Sequence, residues 1–135
     1  MHDGTYGELL EGLRVPTREL RRRTPDAWDG FHHLHQAAMA DGELSSVAKE
    51  LIALAISVAT RCDGCIASHA RSVARAGATP EQVAEAIQAG GYVQVLIAQP
   101  AALHGQRLGK LGFRTAIVAL LAQQVALVLK DLRHQ

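Results

Sequence analysis

A chain of 135 residues normally makes one domain around one core, and a composition that is 48% apolar but only 4% aromatic favours helix over strand. A formal charge of +1 gives no electrostatic case for nucleic acid. The two cysteines, paired in one C-x-x-C, suit a catalytic pair in a reducing compartment better than a disulfide framework; as Met1 to Thr5 lack the basic and apolar stretches of a secretory signal, the protein is expected to be cytoplasmic.

Residues 1–135 are expected to form a single all-α domain, with an N-terminal helical arm over 1–23. In that arm Tyr6 to Arg14 is amphipathic through Leu9, Leu10 and Leu13, and Val15-Pro16-Thr17 is expected to end it. Arg18 to Arg23 is a basic run with one acid; phosphate, anionic lipid or a subunit could meet it, but a solvated helical face suffices. Thr24-Pro25 has the form of a helix start, a capping threonine before proline at the first helical position. That helix is predicted to reach about Met39, with Trp28, Phe31, Leu34 and Ala38 at helical spacing. His32, His33 and His35 lie on it. His32 and His35 are i, i+3 neighbours, but no local acid or cysteine completes a metal site. Asp41-Gly42 is a turn.

The segment Ser46 to Ala59 carries Val47, Leu51, Leu54, Ala55 and Val58 at helix spacing. Glu50 falls at the edge of that apolar face, where an unpaired carboxylate would be held up in pKa. Next comes Arg61-Cys62-Asp63-Gly64-Cys65-Ile66-Ala67-Ser68-His69. Asp63 is expected to cap a helix through Ala74, and Gly77 to stop it. The cysteines would then sit at a helix N-terminus, where the macrodipole and free N–H groups favour a thiolate. Cys65 and His69 are i, i+4 neighbours, so an imidazole can take or return the thiol proton. A relay from Cys65 through His69 to Glu50 is the expected arrangement. Adjacency to His69 favours Cys65 as the activated thiol; helix-end position and expected exposure favour Cys62 as the sulfur that meets a partner.

Thr79 and Gln82 form a capping-box pattern for the following helix, with Val83, Ala86 and Ile87 as its apolar positions. Gly90-Gly91 is expected to break or kink it before Tyr92 to Ala98 resumes, and close packing is reason enough for the glycines. Pro100 to Leu111 is expected to hold one more helical piece, with His104 on its surface, at an interface or near the site. Phe113 to Leu132 is the predicted last helix. It is too short in apolar length for the ~20 residues of a membrane span, and its oily faces suggest burial between subunits.

Glu50, eleven residues, then Cys62-x-x-Cys65-x-x-x-His69, resembles the AhpD-like alkylhydroperoxidase group of the carboxymuconolactone decarboxylase superfamily. The flanks agree: Asp41-Gly42-Glu43-Leu44-Ser45, Lys49-Glu50-Leu51-Ile52-Ala53-Leu54-Ala55, and Ala76-Gly77-Ala78-Thr79-Pro80-Glu81-Gln82-Val83-Ala84-Glu85-Ala86. The resemblance covers roughly Phe31 to Gly105, most of a domain of ordinary size. It implies an all-helical fold assembled as trimers or hexamers, and thiol-dependent peroxidase or disulfide reductase activity. Cys62 and Cys65 would be the redox pair, with Glu50 and His69 moving protons. The substrate would be a hydroperoxide or a protein disulfide, on a partner such as a peroxiredoxin or lipoyl carrier, with a thiol electron donor and no resident cofactor or metal. Gly64 stands where the best-known members of that group carry a histidine, so the relay here has one proton carrier fewer. The superfamily's true decarboxylases lack the cysteine pair, which argues against lactone decarboxylation. Two other readings compete: a zinc site built from Cys62, Cys65, His69 and Glu50, and a non-catalytic helical assembly module with a redox-sensing pair.

Overall fold

In a computed structural model of the chain, residues 5–102 are described, together with 119, 122, 123, 125–128 and 130. Five helices follow one another: α1 (Tyr6–Arg23), α2 (Pro25–Met39), α3 (Ser46–Ala59), α4 (Asp63–Arg75) and α5 (Pro80–Ala102). There is no strand among the described residues, as the composition leads one to expect. No described helix is long and apolar enough to cross a membrane.

The core lies where α3 packs against both α4 and α5, and where α1 closes over α4. Leu54 and Val58 of α3, Ile66, Ala67, Ala70 and Val73 of α4, and Val83 and Ile87 of α5 are buried there, joined by Tyr6 of α1. These positions recur at the three- and four-residue spacing of one helix face. Val128 is also fully buried in this core, so that residue is covered within its own chain without a second subunit. His104 and the joint at residues 109–112, like most of the predicted last helix, lie outside the described residues.

Helix α1 does not stop at Val15-Pro16-Thr17. It runs through Pro16 to Arg23, and Thr5 and Glu8 close a capping box at its start. Pro16 removes one backbone bond, to the carbonyl of Gly12, but residues 11–18 are exposed and water can satisfy that oxygen. Beyond it, Glu19 pairs with Arg22 at 3.0 Å and Arg23 at 2.7 Å and supports the final turn. These two arginines hold the Glu19 carboxyl below its usual range. The basic run is thus an exposed helical face, partly neutralised from within.

The start of α2 falls at Pro25, as its sequence indicates, but Thr24 makes no side-chain cap. Its hydroxyl donates backward to the Leu20 carbonyl at 2.9 Å, because Thr24 also closes the end of α1. At α5 the sequence signal holds in full: Gln82 N–H donates to Thr79 Oγ1 at 3.3 Å, and Thr79 N–H to Gln82 Oε1 at 2.9 Å. Gly90-Gly91 does not break α5, and Pro100 belongs to it as well. A Cβ on Gly90 would collide with the backbone of Ala55; the missing side chain lets α3 and α5 touch main chain to main chain.

Candidate active site

Two consecutive turns set the site. At the end of α3, Arg61 N–H donates to the Val58 carbonyl and Cys62 N–H to that of Ser57, both at 3.1 Å. At the end of α4, Gly77 N–H donates to Ala74 at 3.1 Å and Ala78 N–H to Val73 at 3.2 Å. Both are Schellman turns, which need a left-handed residue at their first position outside the helix. Gly77 fills it at φ 85°, as its sequence position suggests, and Arg61 fills it at φ 55°. For a residue with a Cβ that conformation costs roughly 1 kcal/mol.

Cys62 is therefore the last residue of one turn and stands immediately before the next helix. It, not Asp63, is the N-cap of α4: its Sγ accepts the Cys65 N–H at 3.3 Å. Asp63 is the first helical residue instead, an acid in the first turn where the helix dipole favours it. The Schellman turn on α3 ends at Cys62, and this fixes α4 to begin one residue later. Cys62 and Cys65 form a disulfide, with Cα atoms 5.2 Å apart. Cys62 is half-buried and Cys65 exposed. This reverses the expectation that Cys62 is the accessible sulfur: the turn holds Cys62 against the end of α3, while the first turn of α4 carries Cys65 outward.

Glu50 and His69 meet across the α3–α4 interface. His69 Nδ1 lies 2.7 Å from Glu50 Oε2. The Glu50 side chain is 8% exposed and that of His69 25%, so the acid is nearly enclosed and the imidazole bridges it to the surface. A carboxylate can only accept, so Nδ1 carries the hydrogen in that bond. A buried acid placed at the edge of an apolar face by the sequence thus has the partner its burial demands.

Arg61 and Gln94 went without a role in the sequence. Gln94, on α5, is buried, and with its amide oxygen turned towards α3 it accepts from Arg61 Nε and, at 3.1 Å, from Nη2. The one available signal was an arginine where a helix end calls for glycine. His32, His33 and His35 are all exposed on α2, away from this cluster in the chain. Among the described residues no three His, Cys, Asp or Glu side chains are grouped to hold a metal ion; in the disulfide state the two sulfurs are bonded to each other.

The sequence profile of the carboxymuconolactone decarboxylase family matches residues 25–105, which includes every residue of this cluster. The chain belongs to the carboxymuconolactone decarboxylase family. A family member from Legionella pneumophila, crystallised in its apo form, has a similar structure, with a TM-score of 0.68 and 25% identity over 96% of this chain and 95% of that one. Curated relatives include the uncharacterized protein 4 in cox locus of Paracoccus denitrificans, 44% identical over 59 residues, which are 44% of this chain and 53% of the relative. An uncharacterized protein of Cupriavidus necator is 40% identical over 68 residues, 50% of this chain and 60% of the relative. The chain thus spans about half the length of the curated relatives it matches. The family includes both decarboxylases and alkylhydroperoxidases, and the resemblance drawn from the motif is to that superfamily.

Proposed function

We propose that the protein is a thiol-dependent peroxidase or disulfide oxidoreductase that cycles Cys62 and Cys65 between dithiol and disulfide. The observation that carries this reading is the pairing of a C-x-x-C at a helix N-terminus with a His69–Glu50 couple 2.7 Å apart. In the reduced state His69 takes the proton of one thiol, and the Glu50 carboxylate stabilises the imidazolium that results. The thiolate attacks the distal oxygen of a hydroperoxide. An S–O bond forms, the O–O bond breaks, and the leaving alkoxide takes the proton back from His69 to become an alcohol. The sulfenic acid is then attacked by the second sulfur; the S–S bond forms and the oxygen departs as water. A dithiol donor returns the two electrons by exchange. With a protein disulfide as substrate the same pair runs the exchange alone. Either cycle needs a supply of reducing thiols, which suits the cytoplasm.

The test is steady-state turnover of a hydroperoxide or a disulfide substrate by the reduced full chain with a dithiol donor. Cys62→Ser and Cys65→Ser should each abolish it. If both variants retain the wild-type rate, the assignment is wrong.

The reading includes assembly from identical copies. Phe31, Leu34 and Ile97 are 63%, 67% and 65% exposed, a larger apolar display than one copy covers by itself.

A further inference from the structure

The two Schellman turns pose a question that their hydrogen bonds do not answer. At Gly77 the left-handed residue has no side chain; at Arg61 the same backbone carries a long cation. Glycine would fill both positions with less strain. The Arg61 side chain also has a partner: with the Gln94 amide turned so that its oxygen faces the joint, Nε and Nη2 both donate to that oxygen, on a buried residue of a different helix. That partner is a neutral amide, whereas Arg22 and Arg23 on α1 share a carboxylate. Gln94 therefore fixes the guanidinium without cancelling its charge. The next residue is Cys62, whose N–H and Sγ close the turn and cap α4.

We propose that Arg61, clamped by Gln94 of α5, is a positioning residue for the dithiol: it ties the α3–α4 joint to α5 and keeps a permanent positive charge next in sequence to Cys62, favouring the Cys62 thiolate. This rests on the dithiol reading above. The other charged groups around the joint are Asp63 in the first turn of α4 and the Glu50–His69 couple between α3 and α4. Asp63 opposes a thiolate and the helix N-terminus favours one. All of them are left unchanged by the variants below, so differences report on Arg61 and its clamp.

The experiment measures the pH dependence of iodoacetamide alkylation in a Cys65→Ser background, where Cys62 is the single thiol. Removing a nearby cation raises a thiol pKa. Arg61→Gly should move the alkylation midpoint upward by about half a unit or more, while the melting temperature stays level or rises because glycine accepts the turn freely. Arg61→Lys, which restores the charge, should recover most of the shift. Gln94→Leu should give a smaller shift in the same direction, since the charge remains but loses its anchor. An alkylation profile in Arg61→Gly that overlays the parent, or a Gln94→Leu profile that does so, overturns the proposal. Alkylation needs no substrate. A protein without peroxide or disulfide turnover that still shows the Arg61-dependent shift would sink the enzymatic reading and leave this one standing.

Discussion

Helices α2 and α3 are nearly equal in length, at 15 and 14 residues, and have opposite fates. α3 buries Glu50, Leu54, Ser57 and Val58. α2 buries nothing, although Trp28, Phe31 and Leu34 give it as clear an apolar stripe as any in the chain. Trp28 and Phe31 meet as tilted rings, centroids 6.3 Å apart and planes at 55°, and α2 meets α1 and α3 only lightly. The contrast separates two uses of one pattern. On α3 the stripe is spent within the chain and places an acid beside a histidine. On α2 Phe31 and Leu34 stay exposed, and the proposed function assigns them to a second copy.

That division can be broken at several points. The largest effect is expected on the α3 side, where Leu54 is fully buried: Leu54→Ala should cost about 2–5 kcal/mol of unfolding free energy, read by urea titration. Gly90→Val should come next, at about 3 kcal/mol, because its side chain meets the Ala55 backbone and neither partner can give way. Glu50→Gln should slow turnover by about a hundredfold while far-UV circular dichroism stays unchanged; a wild-type rate would remove Glu50 from the proton path. On the α2 side, the Phe31→Ser, Leu34→Ser double variant should alter single-copy stability by under about 0.5 kcal/mol yet shift the mass measured by light scattering to smaller species. An unchanged mass would deny α2 a role in assembly.

The smallest effect should arise between the two helices. Asp41 accepts the Ser46 N–H at 2.6 Å, and this backbone bond, followed by the Ser46 side chain, holds its carboxyl below the usual range. A depressed folded-state pKa contributes stability above the unfolded value and loses it as pH falls through the folded one. Asp41→Asn should therefore lower the melting temperature slightly at pH 7 and converge with the wild type towards pH 3, flattening the stability profile between them.

The parts of the molecule that sequence made legible are those with a local cause. The bounds of α2, the Thr79–Gln82 box and the Gly77 stop each depend on residues a few positions apart. Glu50 was visible because a charge on an apolar face demands a partner, and the spacing of Cys65 and His69 is fixed by the helix itself. What sequence concealed depends on long-range surroundings. Pro16 ends a helix only where its lost bond is buried, and here it is exposed. The Gly90-Gly91 pair breaks a helix only when nothing packs against it, and here Ala55 does. The capping of α4 by Cys62 follows from the turn that precedes it, which forms at an arginine rather than a glycine. No pattern in the chain could have joined Arg61 to Gln94, thirty-three positions on.

The contact of Gly90 with Ala55 has a bearing on how much the rest of the chain is free to vary. Ala55 stands five residues, about 7.5 Å along the axis, beyond Glu50 on the same helix. The depth at which that acid sits is thereby registered against a rail of peptide groups. Apolar side chains elsewhere along α3 and α5 can be exchanged for others of similar bulk, over long stretches of descent, without carrying the carboxylate away from its imidazole.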